Sequence, residues 1–128
     1  MSVIHKIALY ASLVVLGLSL LIPGMMGVVR PGTGTPGLVT TSIDAANHVR
    51  AMNGMMAAIG FVALWSWFDL QRARPLVLAL GVLMVALVVA RACSIAIDGM
   101  PSAATKRYLA IELIFGIIFL ARAPPTSS

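Results

Sequence analysis

Four long stretches of this sequence carry almost no charge, and that constrains its fold more than any other feature. They run from about Ile7 to Val29, from the start of a second helix near residue 44 to Phe68, from Leu76 to Ile97, and from Tyr108 to Ala121. Crossing the hydrocarbon layer of a bilayer takes roughly 20 apolar residues in a helix, so each stretch is a candidate span. The composition agrees. Of 128 residues, 60% are hydrophobic and 10% charged, and the mean hydropathy is +1.02, whereas a soluble domain is roughly 45–50% apolar and about 25% charged. An ordinary soluble domain is excluded.

The links between the stretches carry the usual punctuation of helix ends. Residues 30–42, RPGTGTPGLVTTS, hold two of the seven prolines and three of the eleven glycines and read as the longest loop. Ser42 or Asp44 can cap the second helix by accepting a hydrogen bond from a free amide of its first turn. Pro75 suits the first turn of the third helix. Gly99 can close that helix with a left-handed residue, and Pro101 stops it from continuing. Ser102 can cap the fourth helix. Pro23 and Gly24 predict a kink or an early end in the first, and Trp65 and Trp67 form an interfacial anchor at the far end of the second. His5 and Lys6 before an apolar run would also fit a signal peptide, but no small-x-small cleavage site follows, so the run reads as a membrane helix.

These signals predict an all-α fold: one transmembrane domain over 1–128, an antiparallel four-helix bundle with helices at about 7–29, 44–68, 76–97 and 103–121, and a tail over 123–128. Lys6, Arg72, Arg74 and Arg122 would lie on one side and Arg30, Lys106 and Arg107 on the other, which favours cytoplasmic termini in a multi-pass membrane protein. The net charge of +5 is scattered along the chain, so it reads as topology signals and contacts with membrane lipids, with no nucleic-acid partner expected. Cys93 is the single cysteine and permits no internal disulfide.

Polar groups inside the apolar stretches then become informative. Arg91 lies six residues before Ile97, roughly 9 Å below that helix end, and Glu112 lies four residues past Tyr108, roughly 6 Å below the facing end. The first half of the second helix, with His48, Arg50 and Asn53, reaches the same side, as does Asp98. Arg50, Asn53, Gly54 and Ala57 share one helix face; so do Arg91, Ser94 and Asp98, and likewise Tyr108, Glu112 and Gly116. An unpaired ion facing lipid costs about 2.5 kcal/mol or more on insertion scales, so each should turn inward to a partner. The expected pairs are Arg91 with Glu112, as a buried salt bridge, and Arg50 with Asp98.

The same residues support a polar pocket at one end of the bundle, lined by His48, Arg50, Asn53, Arg91, Ser94, Asp98, Tyr108 and Glu112. They also support an ionic clamp that merely fixes helix register. His48 reads more simply as an interfacial residue. Met25, Met26, Met52, Met55 and Met56 with a histidine could hold Cu(I), but consecutive methionines point to different sides of a helix, and neither a metal nor a cofactor is expected. GTGTPG lacks the lysine and the strand-to-helix setting of a phosphate loop.

R-x-x-x-G opening the second helix (Arg50, Gly54), an arginine late in the third (Arg91), D-G-x-P after it (Asp98, Gly99, Pro101) and a glutamate in the fourth (Glu112) together resemble a family of small four-span bacterial membrane proteins, domain of unknown function 4345. The resemblance covers residues 47–116 and implies four membrane helices and no established activity. The residues themselves point first to a protein that binds a lipophilic ligand or a membrane-protein partner at its polar end. The alternatives are a membrane-embedded enzyme for acid–base chemistry such as isomerisation or hydrolysis, with Asp98 and Glu112 as catalytic carboxyls, and a structural clamp in an accessory subunit. Faces around Gly17 and Gly81 are candidates for self-association into a homo-oligomer.

Overall fold

The computed structural model describes residues 2–33, 41–70 and 72–124. Four helices follow one another, α1 (Val3–Val29), α2 (Ile43–Ser66), α3 (Arg74–Asp98) and α4 (Ala103–Ala121), with no strand among the described residues. Three of them, α1, α2 and α3, are long and apolar enough to cross a membrane. The fourth is the shortest, at 19 residues, and contains Lys106, Arg107 and Glu112. Much of the loop expected over 30–42, including most of GTGTPG, and the end of the tail lie outside the described residues.

Local chemistry sets the helix ends. The Ser42 hydroxyl accepts from the amide of Ala45 at 3.1 Å and caps α2, and Ser102 accepts from Thr105 at 3.4 Å at the start of α4. Pro75 lies in the first turn of α3, where its missing N–H has no intrahelical partner to lose. Gly99 closes α3 at φ 94°, donating to the Ile95 carbonyl at 3.1 Å. Its ψ of −172° is extended rather than left-handed helical, a combination open to glycine because it lacks a Cβ. Pro23 does not end α1, which continues six residues further to Val29.

The chain divides into two compact units, Leu13–Phe68 and the combination of Met1–Ser12 with Asp69–Ser128. In the first, the later part of α1 packs antiparallel on α2 at glycine distance. A Cβ on Gly60 would lie 2.5 Å from the Leu21 amide nitrogen and 2.6 Å from the Gly17 carbonyl, and one on Gly24 would lie 2.6 Å from the Ala57 nitrogen. The two backbones therefore touch, and no side chain fits between them. Val49, Asn53, Ala57, Gly60, Ala63 and Ser66 form the buried face of α2, recurring every three or four residues as one face of a helix must.

In the second unit, α3 buries Val77, Leu80, Gly81 and Met84 against α4, which buries Phe115, Gly116 and Phe119. Phe115 and Phe119 stack with ring centres 5.8 Å apart. The contacts run antiparallel, Gly81 against Leu120 and Gly116 against Met84 and Val85. After Met84 no residue of α3 is fully buried, and before Phe115 none of α4 is. Gly17 and Gly81, expected to present small-residue faces for self-association, are both buried within the chain, against Gly60 and Leu64 and against Leu120 respectively. Both glycines are taken up by a neighbouring helix of the same chain.

Because backbone atoms cannot yield as a side chain's end can, Gly60→Ala should destabilise the protein by about 1–3 kcal/mol. Gly54→Ala, whose Cβ would meet only Val28 Cγ2 at 3.8 Å, should be neutral or stabilise by up to about 1 kcal/mol. Equilibrium unfolding of both variants in detergent micelles measures the contrast.

Candidate functional site

The expected polar residues fall into two groups, one in each unit. In the α3–α4 unit, Arg91 and Glu112 meet edge to edge. Nε donates to Oε2 at 2.6 Å and Nη2 donates to Oε1 at 2.8 Å, the paired geometry in which a planar guanidinium matches a carboxylate. The Arg91 guanidinium carbon also stands 5.7 Å from the centre of the Tyr108 ring, within range of a cation–π attraction. Tyr108 and Glu112 are one turn apart on α4, so a single face of that helix supplies both contacts.

This ion pair is not buried, as had been expected; the side chains are 32% and 13% exposed for Arg91 and Glu112. The reason is its position. The fully buried apolar layer between α3 and α4 stops at Met84 and Phe115, and the pair lies beyond it, in the open half of the hairpin. The two charges turn toward each other rather than into a core. Around them the exposed side chains are largely apolar, including Leu87, Val89, Ile97, Ile111, Leu113 and Ile114.

Ser94 and Asp98 continue the Arg91 face toward the end of α3. The Ser94 hydroxyl donates to Asp98 Oδ2 at 2.9 Å, one turn along the same helix, and both residues are exposed. Asp98 was expected to pair with Arg50. Asp98 lies in this unit and Arg50 in the other; the ion pairs among this unit's described residues are Arg91–Glu112 and Arg72–Asp69.

In the Leu13–Phe68 unit, Arg50 is exposed and its Nε donates to the Val28 carbonyl at 3.2 Å. Val28 lies in the last turn of α1, whose final four carbonyls have no intrahelical partner, and that turn has no basic residue of its own. A neighbouring helix thus caps α1 with an arginine. Nothing in the residue types announces a backbone acceptor. Asn53 is 1% exposed, donates to the Val49 carbonyl at 2.8 Å and fills the space beside Gly27. It belongs to the contact between α1 and α2. His48 is exposed on α2, and at two residues from Arg50 it points to nearly the opposite side of the helix.

Chemically, the α3–α4 group offers a guanidinium with one edge occupied, a hydroxyl-bonded carboxylate at Asp98 and an exposed phenol at Tyr108. Both Glu112 oxygens already accept hydrogen bonds, which leaves Glu112 poorly placed to start proton transfer. Among the described residues, no group of three or more His, Cys, Asp and Glu side chains could hold a metal ion.

Apolar helices of spanning length, one of them joined to the next by an ion pair within its apolar stretch, define a small all-α protein of membrane type. The chain belongs to the family described as Domain of unknown function (DUF4345), which matches residues 8–122. The match extends beyond residues 47–116, where the motifs lie, to most of α1. No curated protein and no solved structure matches the chain.

Removing one member of the pair leaves the other as an unpaired ion among apolar groups. Arg91→Leu and Glu112→Leu should each cost about 2 kcal/mol or more, and the double variant should recover most of that loss. A double-mutant cycle measured by unfolding in lipid or detergent tests this. Arg50→Met, which uncaps α1, should cost about 1 kcal/mol in the same assay.

Proposed function

We propose that this is a non-enzymatic polytopic membrane protein that holds a lipophilic molecule against the open half of the α3–α4 hairpin. All four helices cross the bilayer of a bacterial cytoplasmic membrane, with both termini cytoplasmic. The 19 residues of α4 span about 28 Å, close to the roughly 30 Å of hydrocarbon. Lys106 and Arg107, where its first turn passes into its second, reach the interface, where long cationic side chains extend their heads to water, and Glu112 is neutralised by Arg91.

One observation carries the reading: Arg91 is bonded along one edge and remains a third exposed in a stretch whose other exposed side chains are largely apolar. A guanidinium has five N–H donors, and two are used by Glu112. The remaining donors face surroundings that, in hydrocarbon, offer no acceptor, so an amphiphilic molecule with one polar group is the natural complement. The ionic clamp is the second reading, favoured by the two short bonds between Arg91 and Glu112. It requires nothing to occupy the open edge.

Native mass spectrometry of the protein released from nanodiscs separates these readings. A lipophilic adduct retained by the wild type and lost from the Arg91→Leu/Glu112→Leu variant is the expected result. Bare protein in both, with the double variant at least as stable as the wild type, would leave only the clamp.

A further inference from the structure

The net charge of the open site decides what kind of polar group it takes. Arg91 and Glu112 neutralise each other through two bonds, 2.6 and 2.8 Å long, so the guanidinium's free edge is a hydrogen-bond donor within an ion pair of no net charge. A carboxylate or phosphate arriving there gains the N–H donors but lies beside the Glu112 carboxylate, and like charges in surroundings of low dielectric repel strongly. Asp98, two turns along the same face of α3 and bonded to Ser94, adds negative charge on that side. A neutral carbonyl oxygen gains the same donors without the repulsion and with a smaller loss of hydration. The exposed Tyr108 ring beside the guanidinium supplies a flat apolar wall, and Leu87 and Val88, one turn earlier on α3, extend an apolar floor for the molecule's hydrocarbon body.

We infer that the open edge of the Arg91–Glu112 pair takes the neutral carbonyl oxygen of a lipophilic ketone, ester or quinone-like molecule, in preference to an anionic lipophile. The inference rests on the α3–α4 hairpin being a lipophile site. It deepens that reading by giving the polar group its class.

The test uses the full chain in phosphatidylcholine nanodiscs and benzophenone, a lipophilic ketone that also crosslinks to nearby C–H groups under light. Labelled peptides are mapped by mass spectrometry, with 2-undecanone as neutral competitor and laurate as anionic competitor. Saturable labelling between residues 87 and 112 is expected, suppressed by 2-undecanone and much less by laurate. It should fall at least about tenfold in the Arg91→Leu/Glu112→Leu variant, the effect of losing a hydrogen bond to a charged donor. Arg91→Lys, which keeps the charge but lacks the planar fork, should fall similarly and guards against misfolding of the double variant. Suppression by laurate as strong as by the ketone would overturn the neutral-acceptor assignment while leaving a lipophile site in place. Labelling that no competitor reduces, or that is unchanged in both variants, would overturn the site itself.

Discussion

Helices surrounded by hydrocarbon gain nothing from the hydrophobic effect when they associate, because lipid tails are as apolar as the side chains they replace. A small, apolar chain must then hold its helices together by close van der Waals contact or by polar bonds, and the two units of this protein rely on different members of that pair. Between α1 and α2 the device is contact: Gly17, Gly24, Gly27 and Gly60 bring backbones together, and Asn53 fills the space at Gly27. Between α3 and α4 a short aromatic and aliphatic layer serves one half. Where it ends, the Arg91–Glu112 pair is the bond that joins the helices.

That second arrangement has a consequence for function. An ion pair closed on all sides is only a fastener, but this one has an open edge, because no residue of α3 after Met84 and none of α4 before Phe115 is fully buried. The proposed role rests on that incompleteness, since a donor left facing an apolar medium gains from any acceptor that reaches it. Glu112 has a double part. It makes Arg91 tolerable in an apolar setting, and in the proposed site it sets the charge that an incoming group would meet.

Features fixed by neighbours in sequence were legible in advance. Pro75, Gly99 and Ser102 act within a turn of their own position, so residue type placed them at the helix ends, and it narrowed the cap of α2 to Ser42 or Asp44; the extended ψ of Gly99 was not legible. The Arg91–Glu112 pair was legible too, because depth along two helices joined by a short link is a matter of counting. Facing was harder. Gly17 and Gly81 looked like exposed association surfaces because a glycine stripe is the same whether its partner is another chain or the next helix. Asn53 was assigned to a polar pocket, yet sits at the α1–α2 contact, since helix periodicity says which residues share a face without saying what lies opposite. The Val28 carbonyl that holds Arg50 had no residue-type signature at all. Burial of the ion pair was wrongly expected for a related reason: the spacing shows that two charges can meet, but not how far the apolar layer beside them extends.

Everything proposed for the α3–α4 hairpin requires Arg91 and Glu112 to remain directly bonded in a lipid bilayer. Glu112 is the single glutamate of the chain, so a carboxyl label on glutamate reports one site, and carbon–nitrogen dipolar recoupling by solid-state nuclear magnetic resonance to labelled arginine side chains measures the contact. Strong dephasing of the Glu112 carboxyl signal is expected in the wild type, with its loss in Arg91→Lys. A carboxyl signal in bilayers that shows no coupling to any guanidinium nitrogen would contradict that bonding.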